Sequence, residues 1–138
     1  MSFMTNPTEP LYKLNRTRDS LCFFWICWLT YFCTYLGRLN FSASMAEIIS
    51  AEGFSKSALG MVGSGLFFAY GIGQLASGIL GDILNPKRLI FCGITLSSLM
   101  NIGMGFAASP GMMVLLWSIN GLAQAMVWSP MVRIISDR

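Results

Sequence analysis

The chain has no histidine, and only 9 lysines or arginines and 6 aspartates or glutamates among its 138 residues. Without histidine the usual general acid–base is missing, and no carboxylate pair or nucleophile with a base is placed for catalysis, so an enzyme is not expected. So little charge is also too little to cover the surface of a soluble domain of this length. The 4 cysteines, Cys22, Cys27, Cys33 and Cys92, all fall in apolar runs rather than in aqueous loops. That placement argues against a disulfide framework and for small apolar side chains, so neither a metal nor another cofactor is expected.

What the sequence does have is apolar length: 54% of its residues are hydrophobic. Crossing a hydrocarbon core of about 30 Å takes about 20 largely apolar residues in a helix, whose backbone amides find their partners within the segment. Four stretches meet this: from about 21 to beyond 36, from about 57 to 80, from about 89 to 106, and from about 112 to 135. The expected organisation is all-α and polytopic, with a polar tail over 1–20 and four transmembrane helices over 21–138, the lipid bilayer being the first partner. The first stretch is too long and aromatic for a signal peptide, and no small-residue cleavage site follows it. The sequons beginning at Asn15 and Asn40 are read as chance matches.

Lys13, Arg16 and Arg18 precede the first span, Lys87 and Arg88 open the third, and Arg133 and Arg138 close the chain; the opposite loops hold only Lys56, near Glu47 and Glu52. The positive-inside rule then places the amino terminus in the cytoplasm. This asymmetry accounts for the net charge of +3 without a nucleic-acid partner. A connection of some length is expected from about 46 to 56, and tight turns at 81–88 and 109–111. Asn85 and Pro86 suit the cap and first position of the third helix. Glycine is concentrated in the second span, where Gly73, Ser77 and Gly81 share one stripe; small residues let helices approach closely in lipid, so this helix is expected to be enclosed by protein. Four helices with polar positions and no partners imply a fragment of a larger bundle.

Residues three, four and seven apart share a helix face. In the first helix this gathers Trp28, Tyr31, Tyr35, Arg38 and Ser42, an aromatic and hydroxyl face around one cation, while Asn40 points to the other side and suits a bond to a neighbouring helix. The second helix aligns Phe67, Tyr70, Gln74 and Ser77, and the fourth aligns Asn120, Gln124, Trp128 and Met131. Three such strips facing one another would form a cavity with one fixed positive charge, a site for an anion. Arg38 also has a bland reading: about 26 Å from a helix start at Leu21, it sits where an arginine can snorkel to the headgroups. If the helix runs on through Ala46 and tilts, the arginine lies deeper, at a cost of about 2.5–3.5 kcal/mol that calls for a paired or functional role.

Three motifs resemble those of major facilitator superfamily transporters, and within them the organophosphate:phosphate antiporters that carry glycerol 3-phosphate and hexose phosphates. Tyr35-Leu36-Gly37-Arg38-Leu39-Asn40-Phe41 is similar to the family's first-helix motif. The run from Gly78 through Asp82 and Pro86 to Arg88 is similar to the loop between helices two and three, and the run from Asn120 through Gln124, Trp128 and Pro130 to Arg133 to the fourth helix. The resemblance implies the first third of a twelve-helix transporter that works by alternating access, with its carboxy-terminal helices as further partners and the cell membrane as its location. It implies Arg38 as a ligand for a small anionic, phosphate-bearing substrate, with Tyr35, Tyr70, Gln74, Gln124 and Trp128 around it. Asp82, Lys87 and Arg88 would form a cytoplasmic gate, or simply mark topology. Gln74 stands where these transporters carry a lysine, which removes one cation from the site and leaves a less anionic substrate open. A membrane sensor of sugar phosphate, or a small helical protein acting by partner binding, are the competing readings.

Overall fold

The computed structural model describes residues 17–136, without the side chains of Asp82 and Ser136. Residues 1–16 of the expected polar tail lie outside the described residues, as do Asp137 and Arg138. Four α-helices follow one another: α1 (Thr17–Glu52), α2 (Lys56–Ile83), α3 (Pro86–Met104) and α4 (Pro110–Ser136). Among the described residues no other regular element occurs.

The helix ends follow from local chemistry. Ser55 caps α2 by accepting from the Ala58 amide at 3.1 Å, and Asn85 caps α3 by accepting from the Lys87 amide at 3.0 Å. Each side chain satisfies an amide that the first turn leaves without a partner. Ser109 and Pro110 repeat the Asn85-Pro86 arrangement and open α4, with the Ser109 hydroxyl accepting from the Met112 amide at 3.3 Å. The tight turn expected at 109–111 is therefore a helix start. α1 ends at Gly53, whose φ of +69° is a left-handed conformation that side chains resist, and whose amide closes on the Ile49 carbonyl at 3.1 Å.

The connection expected over 46–56 is only three residues long. Met45, Ile48, Ile49 and Phe54 all pack against a cluster of Phe41, Leu59, Val62, Leu66, Met113 and Trp117, and this apolar periodicity carries α1 on to Glu52. The cluster joins the end of the bundle where α1 finishes and α2 and α4 begin. The first helix also begins four residues before Leu21, with Asp19 in its first turn near the positive end of the helix dipole.

α4 is the hub. It runs parallel to α2 and antiparallel to α1 and α3, and close approach to its neighbours depends on glycine. A Cβ on Gly121 would strike the Leu66 carbonyl, one on Gly73 would lie 2.8 Å from the Ala125 methyl, and one on Gly93 would lie 2.6 Å from the Ala123 carbonyl. α2 is enclosed on this stripe only. Phe68, Leu75 and Ile83 on its other faces are 74–76% exposed, so the expectation of a helix surrounded by protein fails within this chain. On these faces Gly60 and Gly71 have nothing within 4 Å, whereas Gly73 meets Ala125 and Leu122 of α4.

Three helices, α1, α2 and α4, are long and apolar enough to cross a membrane by length and composition. α3, at 19 residues, has the length but does not meet the same composition criterion over its own bounds, which take in Lys87 and Arg88 in its first turn and Ser97, Ser98 and Asn101 further on.

Candidate functional site

Arg38 sits near the middle of α1. The helix extends 21 residues before it and 14 after it (38−17 and 52−38), which places Arg38 about 5 Å from the helix midpoint. The helix does continue past Ala46, as the deeper placement of the arginine requires. Glu47, the acidic residue nearest to Arg38 along α1, is nine positions, about 14 Å, further on.

The guanidinium is held by dipoles and a ring. Its Nε donates to Gln124 Oε1 at 2.8 Å, and its Cζ lies 4.4 Å from the centre of the Tyr70 ring and 5.7 Å from that of Tyr35. Both ring distances are within the roughly 6 Å over which the negative face of an aromatic ring attracts a cation. α1, α2 and α4 each contribute one wall, so Arg38, Tyr35, Tyr70 and Gln124 meet as the face analysis expects.

Gln124 is buried at 4% exposure and uses all of its amide. Its Nε2 donates to the Thr34 carbonyl and to Asn120 Oδ1, both at 3.4 Å, and Asn120 Oδ1 also accepts from the Ser97 hydroxyl at 2.6 Å. Trp128 packs on Tyr31, ring centres 4.6 Å apart, and so reaches the site through Tyr31. Gln74 is half-buried, one turn beyond Tyr70, and its amide nitrogen is buried with no partner among the described residues.

Other members of the expected strips go elsewhere. Trp28 is 48% exposed and stacks on Phe32 at 5.4 Å. Ser77 and Met131 are buried in the helix packing rather than facing Arg38's hollow. That hollow is small, about 120 Å³, and is lined by Tyr35, Arg38, Ser42, Leu66, Phe67 and Trp117. Ligand pockets run to about 300–1,000 Å³, so this hollow is smaller than a complete ligand site. A larger cleft of about 520 Å³ lies on the other side of α1, between Thr30, Cys33, Asn40, Ser97 and Asn101, and does not include Arg38. There Asn40 donates to Asn101 Oδ1 at 3.0 Å, joining α1 to α3.

At the opposite end of the bundle from the apolar cluster, Lys87 and Arg88 are exposed on the first turn of α3. The Asp82 side chain lies outside the described residues. Arg133 donates through Nη1 to the Gly81 carbonyl and so ties the end of α4 to the end of α2 beside this turn. Sequence reasoning missed Arg133 as a structural tie and Ser97 as a polar contact. The spacing of Gly93, Ser97 and Asn101, four residues apart, was a usable signal for Ser97.

The fold and this site define a polytopic helical membrane protein with a cation mounted between three helices. The sequence matches the Major Facilitator Superfamily over residues 27–138, and the chain belongs to that family. It is 34% identical over 125 residues to a protein of Chlamydia pneumoniae named "Probable hexose phosphate transport protein", covering 91% of this chain and 27% of the relative. It is 29% identical over 107 residues to the hexose-6-phosphate:phosphate antiporter of Escherichia coli, covering 72% and 23% respectively. A membrane sensor protein, UhpC, of Salmonella typhimurium is 28% identical over 131 residues, covering 90% of this chain and 30% of its own length. The chain thus spans about a quarter of the length of these relatives. No solved structure matches it.

Proposed function

We propose that the chain forms the first four helices of a twelve-helix secondary transporter that carries an organic phosphate or a related small anion across the cell membrane. It exchanges that anion for inorganic phosphate by alternating access, in which two halves rock about a central site. The observation that carries this reading is Arg38, mounted at mid-helix against Gln124 and Tyr70 without a carboxylate nearby on its own helix. A guanidinium so placed keeps its charge for a ligand and can offer paired hydrogen bonds to phosphate, which a lysine cannot.

In this reading Tyr35 and Tyr70 flank the cation, Gln124 orients it, and Trp128 forms a wall through Tyr31. Gln74 offers its unpartnered amide to the substrate, adding a donor without adding charge. α3 completes a fourth crossing, the amino terminus is cytoplasmic, and Asp82, Lys87 and Arg88 form a gate on that side. The relatives named for hexose phosphate transport and exchange support this assignment, and absent carboxy-terminal helices supply the rest of the site.

The test is uptake of labelled phosphate and glycerol 3-phosphate by cells expressing the longest reading frame that contains this chain, with Arg38 intact and as Arg38→Ala. Uptake that disappears with the arginine is the expected result; uptake unchanged by the substitution refutes the role of Arg38. The relative named as a membrane sensor favours a second reading, sugar-phosphate sensing with the same site. Binding without uptake, together with a histidine kinase encoded beside the gene, would select it.

A further inference from the structure

We propose that Asn120 and Ser97 are positioning residues that lock the Gln124 amide, and that this lock makes Arg38 present the end-on edge of its guanidinium, the pair of Nη groups, to an anion. The inference deepens the anion reading above and rests on it for the ligand, but not for the orientation of Arg38.

The argument is one of donors and acceptors. Arg38 can only donate, and its Nε is committed to Gln124 Oε1 at 2.8 Å. A glutamine amide has one accepting and one donating end, so a rotated Gln124 would turn its NH₂ against the guanidinium, and the contact would become repulsive. Two acceptors hold the NH₂ away from it: the Thr34 carbonyl and Asn120 Oδ1. The Asn120 oxygen is fixed in turn by the Ser97 hydroxyl at 2.6 Å, and Asn120 is fully buried. Its own Nδ2 is left without a partner among the described residues, so this asparagine is oriented through its oxygen.

The consequence is directional. A guanidinium can grip an oxyanion side-on, through Nε and one Nη, or end-on, through both Nη groups. With Nε taken by Gln124, only the end-on fork is whole. Ser97 and Asn120 touch neither the hollow beside Arg38 nor Arg38 itself, and they act through Gln124.

The experiment uses the full chain in lipid nanodiscs with ¹⁵N-labelled arginine, and the Arg38 Nε–H signal is assigned by its loss in Arg38→Lys. Hydrogen exchange at this group is expected to be slow in the parent chain and roughly tenfold faster in Asn120→Leu, which removes the acceptor. It should remain slow in Asn120→Asp, which keeps an oxygen there. A Gln124→Glu background places oxygen at both ends of residue 124, so Asn120→Leu should then have no effect. Equal exchange in the parent chain and Asn120→Leu would overturn the proposal; if Asn120→Leu loses helicity, Ser97→Ala takes its place, and no acceleration there overturns it equally. Added inorganic phosphate should move the Arg38 Nη signals and leave Nε–H on Gln124, whereas displacement of Nε–H from Gln124 would overturn the end-on edge. A parent chain that gives no response to phosphate refutes the anion reading, while the exchange comparison, which needs no anion, still decides the orientation of Arg38.

Discussion

Arg38 shows how a single charge is made tolerable in an apolar segment: Gln124 accepts from it at 2.8 Å, and the Tyr70 ring lies 4.4 Å away. Neither neighbour neutralises it, and the proposed function assigns the remaining charge to an anion. Gln74 carries the corresponding prediction about specificity. Its buried amide nitrogen has no partner among the described residues, so Gln74→Lys adds a cation where a donor already points into the protein. Competition binding with singly and doubly charged phosphates should show the variant shifting preference to the doubly charged form by roughly tenfold, of the order expected for a hydrogen bond to a charged group; an unchanged ratio would mean that residue 74 does not face the substrate. Much of this was legible in the sequence, because Tyr35, Arg38, Tyr70 and Gln124 lie on helix faces set by simple spacing. The bonds among them were not, since nothing along the chain says that Asn120 would turn its oxygen to both Ser97 and Gln124, or that Trp28 would leave the face to stack on Phe32.

At the scale of elements, the hub role of α4 rests on glycines whose importance differs sharply from one to the next. Gly121→Ala forces a methyl against the Leu66 carbonyl between α2 and α4, while Gly60→Ala and Gly71→Ala place one in open space. Thermal unfolding in detergent should show Gly121→Ala destabilised by about 1–3 kcal/mol, the usual cost of overpacking, with the other two unchanged or slightly stabilised as a better helix former replaces glycine. Equal effects at the three positions would contradict the packing described. A smaller change belongs to the start of α3: Asn85→Ala removes the acceptor for the Lys87 amide and should cost about 1 kcal/mol in the same assay. The capping residues were readable because Asn85-Pro86 is a local signal. The extension of α1 to Glu52 was not, because it depends on Met45, Ile48 and Ile49 meeting α2 and α4, which is a tertiary fact.

For the whole molecule, the arrangement places the apolar cluster at one end and Lys87, Arg88 and the Arg133 tie to Gly81 at the other. In the proposed topology, which follows the positive-inside rule, the second end is cytoplasmic. In a cysteine-free background, an impermeant thiol reagent added outside cells should label Ser55→Cys and not Lys87→Cys, and the reverse pattern would invert the topology. α1 is the least embedded of the four helices, with Phe41 its only buried residue among those described. Broad apolar faces on α1 and α2 stay exposed, as surfaces suited to lipid and to further helices. The central claim is that this bundle holds Arg38 open to a phosphate-bearing ligand. Its most direct test is modification of the purified chain in nanodiscs by an arginine-specific dicarbonyl reagent, read residue by residue by mass spectrometry, with and without inorganic phosphate. The account predicts that phosphate slows modification at Arg38 and leaves the exposed Arg88 unaffected; equal rates at Arg38 with and without phosphate would contradict it.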